Sequence, residues 1–135
     1  MTQHRQPIDK NAKILLIDDE GEWLEGIRQV LAQEPYSIVT ADSAEAALKK
    51  LKGTVPDLIL SDVRMPVMNG FELYEKVRND PALKDVPYVF MSVIDDYEAM
   101  RTAKKLGAEE YIIKPYSAEE AKQILLDLLL RYRKK

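Results

Sequence analysis

Cysteine is absent from the 135 residues, and histidine occurs once, as His4. The first absence excludes disulfides, thiol nucleophiles and zinc–cysteine clusters. The second argues against a multi-histidine metal site or an internal histidine base. No charge of one sign dominates either. Twenty Lys and Arg face 23 Asp and Glu, a formal net charge of −3, which gives no support for a nucleic-acid-binding domain. No apolar run approaches the ~20 residues needed to span a bilayer. Residues 1–7 lack the apolar core of a signal peptide. By exclusion, the expected location is cytoplasmic, with no membrane partner and no direct nucleic-acid partner.

What is present reads as a globular domain, 46% hydrophobic and 32% charged. The expected organisation is a flexible segment over 1–11, one domain over 12–133, and a short basic end at 134–135. Short apolar runs alternate with one-sided apolar stripes. Ile14-Leu15-Leu16-Ile17, Tyr36-Ser37-Ile38-Val39-Thr40, Leu58-Ile59-Leu60, Tyr88-Val89-Phe90-Met91 and Tyr111-Ile112-Ile113 read as strands. Helical spacing links Trp23, Leu24, Ile27, Val30 and Leu31, then Ala44, Ala47, Leu48 and Leu51 behind a cap at Asp42 or Ser43. It recurs at Phe71, Tyr74 and Val77, and at Ala99, Met100, Ala103 and Leu106, where Gly107 stops the helix. A last helix begins near Ser117, with Glu120 placed as in a capping box. Its stripe is Ala121, Ile124, Leu125, Leu128, Leu129 and Tyr132; Leu126 and Leu130 fall on another flank. Five βα units predict an α/β fold, a doubly wound parallel sheet with helices on both faces. Right-handed crossovers place all strand C-termini at one edge, where open α/β sheets bind ligands.

That edge collects Asp18 and Asp19 after the first strand, Asp62 after the third, Ser92 after the fourth and Lys114 after the fifth. Three neighbouring carboxylates repel and call for a cation. A hard divalent ion with oxygen ligands answers, Mg²⁺ best of all. Lys114 adds fixed positive charge for an incoming anion, and Ser92 a hydrogen-bond donor. A nucleophilic carboxylate, a metal and fixed charge are the equipment of phosphoryl transfer. Each residue alone has a plainer reading: Asp18 as a helix cap, Ser92 as a turn residue, Lys114 as a solvated strand end, Arg64 as a solvated side chain, Trp23 as core. Their coincidence at one edge weakens those readings jointly.

Ile17-Asp18-Asp19-Glu20, Ser61-Asp62-Val63-Arg64-Met65-Pro66 with Asn69-Gly70, Met91-Ser92-Val93, Leu106-Gly107-Ala108 and Tyr111-Ile112-Ile113-Lys114-Pro115 occur in this order. In these pieces the chain resembles the CheY-like receiver domain of two-component response regulators, over roughly residues 12–133. The resemblance implies a flavodoxin-like three-layer sandwich with strand order 2-1-3-4-5 and the first and fifth helices on one face. It implies Asp62 as phosphoacceptor, receiving a phosphoryl group from a histidine kinase or a histidine phosphotransfer protein. Asp19, Asp62 and the backbone carbonyl of Arg64 match Mg²⁺ ligands, and Asp18 engages the metal largely through water. Lys114 matches the phosphate partner, Ser92 the switch hydroxyl and Tyr111 the switch aromatic. A cis Lys114–Pro115 bond is also implied. The family's usual output surface, helix four, strand five and helix five, makes a homodimer or a downstream domain the expected reader. One departure is Val93, where the family most often has Ala or Gly; its branched side chain is expected to gate access to the phosphate.

Three other readings compete. A receiver-fold interaction module working without phosphate is opposed by the full acidic set. A phosphohydrolase with an Asp nucleophile finds only Glu20 two residues beyond Asp18, a weak match. A flavin carrier has no phosphate-cradling loop after the first strand, where Asp18-Asp19-Glu20 would repel it.

Overall fold

An apolar run without a polar face is stable as a strand only where both faces are covered, and the covering here is complete. The computed structural model describes residues 12–132. The expected flexible segment 1–11, His4 included, and the basic end 134–135 lie outside the described residues. Five strands, β1 (Lys13–Ile17), β2 (Ser37–Ala41), β3 (Leu58–Asp62), β4 (Tyr88–Ser92) and β5 (Glu110–Ile113), form one sheet. Its order is β2-β1-β3-β4-β5, and every pairing is parallel. The five helices are α1 (Gly21–Val30), α2 (Ala44–Leu51), α3 (Gly70–Arg78), α4 (Tyr97–Leu106) and α5 (Ala118–Tyr132). This is the flavodoxin-like, CheY-like fold.

Strand residues alternate between two separate interiors, as a two-residue side-chain period demands. Ile14, Leu16, Leu58, Leu60, Val89 and Met91 pack with Leu24 and Ile27 of α1 and Leu125, Leu128 and Leu129 of α5. Leu15, Ile17, Ile59, Tyr88 and Phe90 face the other way, onto α2, α3 and α4 through Ala47, Leu73, Tyr74, Val77 and Ala103. The first and fifth helices therefore share a face.

Local signals explain most helix ends. Ser43 caps α2, its hydroxyl accepting from Ala46 N–H at 3.0 Å. Asn69 and Glu72 cap α3 reciprocally, and α4 stops at Gly107, whose φ of 79° suits glycine. At α5 Ser117 accepts from Glu120 N–H, while Glu120 reaches back to Tyr116 N–H rather than to Ser117. Three expectations need correction. The second strand runs one residue later than Tyr36–Thr40: pairing with β1 begins at Ser37 and reaches Ala41, while Tyr36 is buried in the α1–α5 interior ahead of the ladder. No cis peptide bond occurs among the described residues, so Lys114–Pro115 is trans. On α5 Leu126 is half-buried against the α1–α5 interior, so it widens the core contact.

Candidate functional site

Parallel register brings the polar residues together. Asp62 closes β3, the strand flanked by β1 and β4, and is only 8% exposed. Hydrogen bonds just past the strand ends pin the edge: Asp18 N–H to the Ala41 carbonyl at 3.1 Å, Val63 N–H to Met91 at 3.1 Å, Lys114 N–H to Ser92 at 2.8 Å. Below Asp62, α3 begins in contact with the strand. A Cβ on Gly70 would lie 2.3 Å from the Asp62 carbonyl oxygen, so only glycine fits. Tyr88, fully buried, donates to the Gly70 carbonyl at 3.0 Å and fixes this approach.

Asp18, Asp19 and Asp62 each place a carboxylate oxygen within 4.8 Å of the others. Asp18 is fully buried, Asp62 nearly so, and Asp19 is exposed. Asp18 Oδ1 accepts from Glu20 N–H at 2.9 Å. Its Oδ2 forms an ion pair with Lys114 Nζ at 2.7 Å. An all-oxygen donor set of three converging carboxylates, two of them buried, fits a hard divalent cation. Burial, with the Asp18 charge next, pushes the Asp62 carboxyl up to about 7; Lys114 and the Arg64 N–H oppose the shift, and Asp19 adds to it. Asp18 is also raised, by burial first, against the pull of Lys114. Burial disfavours the Lys114 charge, but Asp18 and Glu20 outweigh it and hold the group above its ordinary range.

The Ser92 hydroxyl, buried at the end of β4, meets the Tyr111 hydroxyl. Tyr111 packs on the α2–α3–α4 interior, and its hydroxyl lies 3.5 Å from the Asp96 carbonyl. Val93, directly after Ser92, is 63% exposed. All five chemistry-bearing side chains named from sequence thus fall at one edge. Three other side chains have partners there that the sequence did not show. The Arg64 side chain is no idle solvated group: it grips Asp96 through two nitrogens at 2.8 and 3.0 Å and touches Glu98 at 3.3 Å. Asp96 is the α4 cap, accepting from Ala99 N–H. Trp23 is only partly buried, and Lys114 Nζ lies 4.7 Å from its ring centroid. Glu20, weighed for its charge and as a weak match to a hydrolase carboxylate, pairs with Lys114. The available signal was Glu20's position, immediately before a helix, where Ser, Thr, Asp or Asn is the usual choice.

A doubly wound parallel sheet with a carboxylate triad, a hydroxyl and a lysine at its carboxyl edge defines an α/β domain equipped to hold a hard cation beside an anion. The sequence profile described as the response regulator receiver domain matches residues 14–126. The chain belongs to that family. It is 29% identical to a protein described as the probable transcriptional regulator ycf27 of Guillardia theta, over 94% of this chain and 49% of that protein. It is 31% identical to the alkaline phosphatase synthesis transcriptional regulatory protein PhoP of Bacillus subtilis, over 90% of this chain and 50% of the relative. The chain thus spans about half the length of these curated relatives. Among solved structures, the chemotaxis response regulator CheY4 of Vibrio cholerae superposes with a TM-score of 0.77 at 31% identity, covering 88% of this chain and 99% of CheY4.

Proposed function

We propose that the domain is a phosphoacceptor switch in which Asp62 takes a phosphoryl group from the phosphohistidine of a histidine kinase or a histidine phosphotransfer protein. An Asp62 carboxylate oxygen bonds to phosphorus as the bond to the donor imidazole nitrogen breaks. An acyl phosphate remains on Asp62, and the imidazole keeps the departing electron pair. The observation that carries this reading is the Asp62 carboxylate at the end of a central strand, within 4.8 Å of Asp18 and Asp19. Asp19, Asp62 and the Arg64 carbonyl would hold Mg²⁺, with Asp18 completing the acidic pocket, and the ion would supply charge against the phosphoryl oxygens. Lys114 supplies the second positive charge, and Ser92 donates to a phosphoryl oxygen, drawing Tyr111 with it. A cytoplasmic setting accompanies this role. A phosphorylation-independent interaction module is the rival reading.

Acetyl phosphate labelling tests the assignment. The wild type should acquire hydroxylamine-sensitive label at the peptide holding Asp62, and Asp62→Asn should lose it. Equal labelling of the variant overturns the reading. Asp19→Asn should weaken Mg²⁺ binding at least about tenfold by calorimetry, since it removes one of few charged ligands. Val93 is the proposed gate, so Val93→Ala should shorten the life of the acyl phosphate. A half-life equal to or longer than wild type removes Val93 from that role.

The proposed reader of the switch is a second copy of the domain or a downstream output domain at the α4–β5–α5 face. Met100 of α4 and Ile113 of β5 are exposed there, and Tyr111 lies between the pocket and α4.

A further inference from the structure

Lys114 already has partners before any phosphoryl group arrives. Its side chain is 13% exposed, and three groups converge on the ammonium: Asp18 Oδ2 at 2.7 Å, the Glu20 carboxylate, and the face of Trp23. Glu20 takes a hydrogen bond from the ammonium, Asp18 an ion pair, and the Trp23 ring covers a further side. A new anion on Asp62 competes with these partners for Lys114.

Glu20 is the partner placed to yield. Asp18 is fully buried, and losing its countercharge would strand a charge in the interior. The Glu20 side chain is 63% exposed, so its carboxylate returns to water at little cost. Its position is also unusual. Glu20 is the cap residue of α1, with an extended backbone, yet its side chain caps nothing. Serine, threonine or aspartate there would stabilise the helix by about 1 kcal/mol. The α1 terminus goes without that bond, and the side chain reaches across to β5 instead.

We propose that Glu20 is a built-in competitor of the phosphoryl group, a positioning residue that holds Lys114 against Trp23 until an anion on Asp62 displaces it. The inference rests on the proposed role of Asp62. Glu20 sets a threshold: the resting lysine is neutralised, and the phosphorylated state gains Lys114 only net of the pair it breaks. Glu20→Gln keeps the size of the side chain and removes its charge, so it lowers that threshold. An exposed pair of this kind is weak, so the expected gain in beryllofluoride affinity at saturating Mg²⁺ is about twofold to fivefold. Glu22→Gln, the same charge change in the first turn of α1, should produce less than half of that gain.

Two measurements decide. In metal-free protein, trace acetylation of the Lys114 amine should run faster in Glu20→Gln than in wild type or Glu22→Gln; equal rates mean that Glu20 does not hold the lysine, and the proposal fails. With Mg²⁺ and beryllofluoride, titration should show tighter binding by Glu20→Gln alone. Weaker binding would make Glu20 an aid to the cation and overturn the competition. A wild type that takes up no beryllofluoride overturns the reading of Asp62 and this inference with it. Binding that is equal in wild type and Glu20→Gln overturns the inference only.

Discussion

Asp62 is held in a setting hostile to its own charge. Its carboxyl is pushed from 3.8 up to about 7, chiefly by burial. A carboxyl raised on folding favours the folded state fully below its unfolded pKa, near 4, and loses that contribution as pH climbs through 7. Metal-free protein should therefore lose stability between about pH 4 and pH 7 at this residue. Asp62→Asn should raise the stability of metal-free protein at pH 8 by roughly 1–3 kcal/mol and change it little at pH 4.5. Urea titrations at both pH values, in chelator, check the difference; a gain of the same size at pH 4.5 would point to packing rather than charge. The identity of this residue was legible in sequence because an apolar run that stops at an aspartate marks the end of a buried strand. The pairing of Glu20 with Lys114 was not, because it joins residues 94 apart and depends on how closely β1 and β5 ends approach α1.

Among the elements, the loop after β3 and the start of α4 act as one piece. Arg64 closes on Asp96 with a two-nitrogen grip, and Asp96 both caps α4 and lies beside the Tyr111 hydroxyl. Burial of a neighbour does not drive this contact; the Arg64 guanidinium holds the Asp96 carboxyl below its ordinary range. Arg64→Ala should speed amide exchange at Ala99 and Met100 about threefold to tenfold, while global stability falls by less than about 1 kcal/mol. Arg64→Lys should give most of the same effect, since an ammonium cannot reproduce the planar grip. Unchanged exchange in the first turn of α4 would show that the helix start is fixed without Arg64. Five strands and five helices could be read from periodicity and caps, Ser43 and Gly107 most directly. The one-residue shift of β2 could not, because Tyr36 is a buried neighbour of the strand whose place in the α1–α5 interior only packing decides.

At the scale of the molecule, the sheet separates two kinds of work. Ser92, Tyr111, Asp96 and Arg64 link the pocket to the α4 side. Lys114, Glu20 and Trp23 tie it to the α1–α5 side, where Trp23 packs. The proposed output face draws α4 and β5 from the first group and α5 from the second. Sedimentation with Mg²⁺ and beryllofluoride should show self-association that Met100→Glu weakens without unfolding the chain. A wild type that stays monomeric at high concentration when loaded removes the homodimer and leaves a different partner as the reader.

The two interiors share a wall but no side chains, since neighbours such as Phe90 and Met91 point to opposite ones. Each layer is therefore open to separate redesign. Trimming Leu73 of α3 and Leu125 of α5 to alanine should cost about 2–5 kcal/mol apiece. Combined, the two losses should sum to within about 0.5 kcal/mol. Ile27 and Leu125, lodged in the same layer, should instead depart from the sum, because a void opened by one is available to the other. Substitutions confined to one interior should therefore leave the cost of substitutions in the other unchanged.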